Sequence, residues 1–113
     1  MSEMHLPVKP SAFAVLAALA QGPTAGFGVM ERVNRAAPAR PILGPGTLYR
    51  LLRELRRSGL IERTGPPAGV DPSADERRTY HRLTREGRSV LKAEASRLRR
   101  TMEAAGLLPG GAG

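Results

Sequence analysis

Apolar residues recur at helical spacing in four stretches of this chain, and two short segments between the third and fourth read as strands. The first helix is expected from Pro10 or Ser11 through Ala20, with Phe13, Leu16 and Leu19 or Ala20 on its buried side. Gln21-Gly22-Pro23 ends it. A second is expected from Thr24 or Ala25 to Ala36, where Phe27, Met30 and Val33 follow one another at three-residue steps. Gly26 and Gly28 each weaken that helix by roughly 1 kcal/mol relative to alanine. They read as sites of close packing, because Gly26-Phe27-Gly28 lacks the strand and further glycine of a dinucleotide-binding loop. Pro38 and Pro41 then interrupt the chain.

The third pattern is the sharpest. In Gly44 to Leu60, Leu48, Leu51, Leu52 and Leu55 fall at i, i+3, i+4 and i+7 and make a single apolar stripe. At about 100° per residue, Arg50, Arg53 and Arg57 point away from that stripe. Pro45 suits a first helical turn, and Gly59 suits the left-handed position just past a helix end. Leu60 to Arg63 reads as a short strand. Thr64 to Glu76, with Gly65-Pro66-Pro67 and Asp71-Pro72, reads as a loop. Arg77 to Leu83 reads as a returning strand with Thr79, His81 and Leu83 on one side. Two strands around a long basic-edged loop make a wing.

Thr84 is placed to cap a last helix through about Ala105. In it Leu91, Ala95, Leu98, Met102 and Ala105 repeat with 4-3-4-3 spacing, an a/d seam. About 22 helical residues span roughly 33 Å, more than so small a body covers, so part of the seam is expected to meet a second copy. The other possibility is that the seam folds back on the first helix of its own chain.

Charge sharpens the picture. The chain has 113 residues, with 18 Lys and Arg against 10 Asp and Glu, a net charge of +8 and a pI near 11.4. Between Arg50 and Arg100 lie 14 basic and 7 acidic residues, so that segment alone carries +7. Such a surplus favours a polyanionic partner, although 16 of the 18 basic residues are arginine, as a GC-rich coding sequence would also produce. With no cysteine, disulfides, thiol chemistry and zinc ribbons are excluded. Neither His5 nor His81 has neighbours suited to a metal, so no metal or cofactor is expected. No nucleophile-base pair, carboxylate pair or phosphate loop suggests an enzyme. No apolar run reaches the ~20 residues of a membrane helix, and the expected location is the cytoplasm.

Three stretches go further and resemble the PadR family of transcriptional regulators, in its short form with one C-terminal dimerisation helix. Gly22-Pro23-Thr24-Ala25-Gly26-Phe27-Gly28-Val29 resembles the family's G-P-x-H-G-Y-E-I. Pro45-Gly46-Thr47-Leu48-Tyr49, followed by Leu52, Leu55 and Gly59-Leu60-Ile61-Glu62, is similar to P-G-T-[VL]-Y…L…L…G-L-[IV]-E. Arg78-Thr79-Tyr80-His81-Arg82-Leu83-Thr84, with Gly87, resembles R-x-Y-Y-x-L-T-x-x-G. The resemblance spans roughly Ser11 to Ala105. It departs at Ala25, Phe27 and Gly28, where the family carries His, Tyr and Glu. It departs also at Gly44 in place of Ser, Arg50 in place of Pro, and His81 in place of the second Tyr, which leaves Tyr80 to pack under the wing.

The resemblance implies a mainly α (α+β) fold, a winged helix-turn-helix with a long C-terminal dimerisation helix. Residues 1–9 would be a flexible arm, 10–83 the DNA-binding domain, 84–106 the dimerisation helix and 107–113 a disordered tail. Pro45, Gly46 and Thr47 would offer backbone N–H groups and a hydroxyl to a phosphate, and Tyr49 its phenol, unless that ring packs under the leucines. Arg50 and Arg53 would enter the major groove, where the arginine fork matches guanine O6 and N7, or lie paired with Glu54 on a solvated face. Arg57 would meet a phosphate; Arg77 and Arg78 would meet phosphates or an adjacent minor groove, or else lie on a solvated hairpin. Phe13, Leu16, Leu91, Ala95, Leu98 and Met102 would form the dimer interface. The expected function is a homodimeric repressor on a pseudo-palindromic operator, its effector unidentified. A winged helix that docks an acidic protein, and a non-specific architectural DNA binder, are the alternatives.

Overall fold

The computed structural model describes residues 7–35, 43–66, 68–69 and 79–108. The elements run α1 (Pro10–Leu19), β1 (Thr24–Ala25), α2 (Gly26–Arg35), α3 (Pro45–Arg57), β2 (Ile61–Thr64), β3 (Tyr80–Leu83) and α4 (Arg85–Ala104). The three strands form one antiparallel sheet in the order β1-β3-β2. This is the expected α+β winged helix-turn-helix, with one strand more than the sequence pattern predicts. Thr24 and Ala25, expected to open the second helix, instead pair with His81 and Tyr80 of β3. A two-residue strand has no periodicity of its own and exists only because β3 comes alongside.

Local chemistry accounts for the helix ends. Pro45 sits in the first turn of α3 behind Gly44. Past its last turn, Gly59 takes φ +77°, with Gly59 N–H donating to the Arg56 carbonyl and Leu60 N–H to Leu55. That pair of bonds is a Schellman stop. The same device ends α4 at Gly106, whose φ is +72°, with Leu107 N–H bonded to Met102. Thr84 caps α4 as expected: its Oγ1 accepts from Gly87 N–H at 2.9 Å and donates to the Gly59 carbonyl at 2.6 Å. A Cβ at Gly87 would run into the Leu60 carbonyl, so the start of α4 is pressed against the end of α3.

Leucines from α1 and α3, Val29 and Val33 of α2, Ile61, Leu83 and Val90 close a single core. All four stripe leucines of α3 are buried in it. The second helix corrects its expectation, because Gly26, Val29 and Val33 are its buried residues and Phe27 is 66% exposed. Each three-residue step falls about 60° short of a full turn, so Phe27 lies some 120° around from Val33. Gly26 and Gly28 do permit close approach, Gly26 to the Tyr49 ring and Gly28 to the Thr24 side chain. Strand β3 reverses another expectation. His81 is the buried residue under the wing, and Tyr80 is only half-buried.

Two polar clasps hold the body together where sequence patterning is silent. Asn34 donates from Nδ2 to the Leu43 carbonyl and accepts the Leu43 N–H at Oδ1, both at 3.0 Å, which joins the end of α2 to the approach to α3. Arg32 Nη1 donates to the carbonyls of Ala18 and Gly22 at 3.0 and 2.7 Å. The Ala18 carbonyl also accepts the Gln21 N–H at 3.2 Å, so Arg32 ties α2 to the turn that follows α1.

Candidate nucleic-acid interface

Burying the leucine stripe leaves the opposite face of α3 in solvent. Pro45, Gly46, Thr47, Tyr49, Arg50, Arg53 and Arg57 are all exposed. The first turn of a helix has N–H groups without intrahelical acceptors and the positive end of the helix dipole, so it presents a ready anion site beside the arginines. Tyr49, 58% exposed, lies against Gly26 rather than under the leucines. Arg50 Nη1 pairs with Glu54 Oε1 at 3.2 Å, both side chains more than half exposed. Such a pair is worth only a few tenths of a kcal/mol and yields readily to a phosphate or a base. Arg53 and Arg57 have no acidic partner among the described residues.

Beside this face a cleft of about 320 Å³ opens between α3, the start of α2 and the sheet. Arg53, Arg56 and Arg63 line it, with Phe27, Tyr49 and His81, and among the described residues no carboxylate does. Arg63 reaches it because Ile61 and Arg63 share a face of β2, opposite Leu83 and His81 of β3. Ile61 ends in the core and Arg63 passes its edge. On the other face Glu62 accepts from Arg82 Nε at 2.8 Å.

His81 governs the inner wall. Arg56 Nη1 lies 2.9 Å from His81 Nε2, and since a guanidinium can only donate, Nε2 accepts and the imidazole is neutral with its proton on Nδ1. Burial, followed by the nearby Arg56 and Arg63 charges, pushes the His81 pKa down to about 4. Nδ1 is enclosed, with no well-formed hydrogen bond among the described residues. Arg56 is itself pushed below the usual guanidinium value by burial and by Arg63 and Arg53. The cleft therefore holds crowded positive charge on a wall that cannot neutralise it.

The sequence pattern of the transcriptional regulator PadR-like family matches residues 15–93, well over half of the chain. The chain belongs to the PadR-like family of transcriptional regulators. Solved structures agree on the fold. A PadR-like regulator from Bacillus cereus is 19% identical with a TM-score of 0.70, covering 92% of this chain and 93% of that one. A PadR family regulator from Clostridium difficile is 21% identical with a TM-score of 0.64, covering 82% and 94%. The PcaV regulator of Streptomyces coelicolor, solved in complex with its natural ligand, is 27% identical with a TM-score of 0.69, covering 93% and 66%. Comparison with curated proteins gave no significant match.

On this PadR-like frame, Arg77 and Arg78 lie outside the described residues. Of the residues expected at a dimer interface, Leu16 is wholly enclosed in the chain's own core at 0% exposure, which removes it from that set. Leu91 and Leu98 are half-buried, Ala95 is exposed and Met102 is 37% exposed. The inward residues of α4 are Gly87, Val90 and Glu94, a line about 60° around the helix from the 4-3-4-3 seam. Phe13 and Leu98 line a groove of about 510 Å³ with Pro7, Val8 and Pro10.

Sequence patterning missed four residues here. Arg56 and Arg63 stand outside the arginine row of α3, and His81 looks like any strand residue until Arg56 packs on it. Glu94 stands beside the apolar seam of α4 and is 1% exposed. Its carboxylate takes two 2.7 Å bonds from Arg97 and the Val8 N–H at 3.2 Å, so the end of the expected flexible arm is fastened to α4. An i, i+3 Glu-Arg pair beside an apolar seam is the one signal that could have revealed it. Among the described residues no helix is long and apolar enough to cross a membrane.

Proposed function

We propose that this PadR-like regulator acts as a homodimeric repressor that binds a pseudo-palindromic operator. The observation that carries this reading is the exposed α3 face, where Arg53 and Arg57 have no acidic partner among the described residues and stand beside the open first turn at Pro45, Gly46 and Thr47. Arg53 and Arg50 enter the major groove and read guanine, while Thr47, Tyr49 and Arg57 hold phosphates. Arg77 and Arg78 extend the contact from the wing.

Dimerisation rests on the seam of α4. Ala95 and Met102 are exposed and Leu98 is half-buried, while Gly87, Val90 and Glu94 turn inward and Leu91 packs in part on the core. Phe13, Leu91, Ala95, Leu98 and Met102 form the interface, which places the two recognition helices about one DNA turn apart, roughly 34–36 Å, or a multiple of it. The effector, if one acts, shifts the spacing of the two α3 helices.

The test is footprinting of purified protein on the DNA upstream of its own coding sequence, with random-sequence competitor and a salt titration. A protected, two-fold site that survives competitor is the expected result. Equal loss to competitor would replace this reading with architectural binding, and no binding at low salt would replace it with an acidic protein partner. Met102→Glu, measured by sedimentation, should convert the dimer to monomer; a variant that stays dimeric would remove α4 from the interface.

A further inference from the structure

We propose that Arg56 and Arg63 grip one phosphodiester of the DNA backbone at the foot of the wing, with His81 as the positioning residue that sets Arg56. This rests on the DNA-binding reading above and adds to it a contact that the recognition helix alone would not make. The cleft has the right chemistry for an oxyanion. Among the described residues three guanidiniums and no carboxylate line it, and its 320 Å³ are open to solvent beside α3. Among the described residues neither Arg56 nor Arg63 has an acidic partner.

His81 makes the site a built one. It sits in the central strand, with Thr24 of β1 on one side and Arg63 of β2 on the other, and is 2% exposed. Its Nε2 takes one of the five N–H donors of Arg56 at 2.9 Å. The guanidinium is thereby held in one orientation while keeping its charge and its other donors. A carboxylate in the same place would hold Arg56 equally well and cancel the charge. The occupant is DNA rather than a free anion because Tyr49 and Arg53 belong both to this cleft and to the exposed face of α3. A strand lying along α3 continues into the cleft.

The experiment uses the full chain and a duplex selected by the wild-type protein from a random pool. Binding is measured against salt for wild type, Arg56→Ala, Arg63→Gln and, as a control, Arg100→Ala on the far end of α4. Arg56→Ala and Arg63→Gln should each lower the slope of log K against log salt by about one and weaken selected and random duplexes alike. Arg100→Ala should leave the slope unchanged. His81→Phe, which keeps a ring but loses the acceptor, should reproduce the Arg56→Ala slope, and His81→Gln, which restores an acceptor, should recover it. Melting curves identify a variant that has failed to fold, and surface-exposed Arg63 keeps the test valid in that event. Wild-type slopes in both arginine variants would overturn the clamp while leaving DNA binding intact. Unchanged slopes with loss of inorganic phosphate binding would overturn it in favour of a free anion. A wild-type protein that selects no duplex would overturn the DNA reading and the clamp together.

Discussion

Arg97 and Arg56 are both half-buried arginines whose guanidiniums rest on a buried side chain, and they serve opposite ends. Arg97 forks onto Glu94, a carboxylate that also takes the Val8 N–H, so its charge and geometry are consumed inside the molecule. Arg56 rests on a neutral imidazole and keeps its charge beside Arg53 and Arg63. The first pair closes the fold by tying the approach to α1 onto α4. The second leaves positive charge facing the side where α3 is exposed. The choice of partner, acid or imidazole, separates a structural arginine from one available to a ligand.

The largest effect is expected from removing Glu94. Glu94→Ala leaves the Val8 N–H and the Arg97 guanidinium without the acceptor they share, and among the variants here it should lower the melting midpoint most, as read by circular dichroism. Removing one partner of a buried pair costs more than removing both, so the double change Glu94→Leu with Arg97→Leu should recover much of the loss. If the single and double variants melt alike, the pair is not what closes the fold.

Acid should separate the two arginines next. The folded His81 value of about 4 lies below the ordinary 6.5, so the unfolded chain binds the extra proton more readily. The stabilisation is fully present above pH 6.5 and is lost as pH falls toward 4. At ~1.4 kcal/mol per unit the full loss is about 3 kcal/mol. Glu94 is held below its ordinary 4.5 by the Arg97 hydrogen bonds, against the upward push of burial. Its contribution is present above 4.5 and is lost only below that. Denaturant midpoints should therefore fall between pH 6.5 and 4.5 in wild type and hold nearly level there in His81→Phe, while both fall below 4.5. A His81→Phe curve parallel to wild type above pH 4.5 would disprove the assignment.

Smaller effects sharpen the external role. Arg53→Ala should cost ~1–3 kcal/mol in binding to a selected duplex and relax preference at one base pair, measured by competition with single-base variants. Arg57→Ala should weaken all sequences evenly and lower the salt slope by about one. Least of all, Arg50→Ala should change folding stability by no more than a few tenths of a kcal/mol, because its ion pair with Glu54 is exposed. A base preference untouched by Arg53→Ala would move that residue from reading bases to holding phosphates.

What the sequence determined by itself is whatever depends on near neighbours. The leucine stripe, Pro45, Gly59 and Thr84 define α3 and the start of α4, because stripe, stop and cap are satisfied within one or two turns of the chain. The PadR motif follows from the same local positions. Phe27 eluded the pattern because three-residue steps match a helix only over a short span, and which side of α2 faces inward was decided by α3 packing on Gly26. β1 exists through β3, and the burial of His81 and Glu94 through Arg56 and through Arg97 with Val8. These are contacts between groups far apart along the chain, apart from the Glu94–Arg97 turn. A polar residue's partner, and so whether its charge is spent inside or kept for solvent, is settled only when distant segments pack, since burial and neighbouring charge are properties of the assembled core.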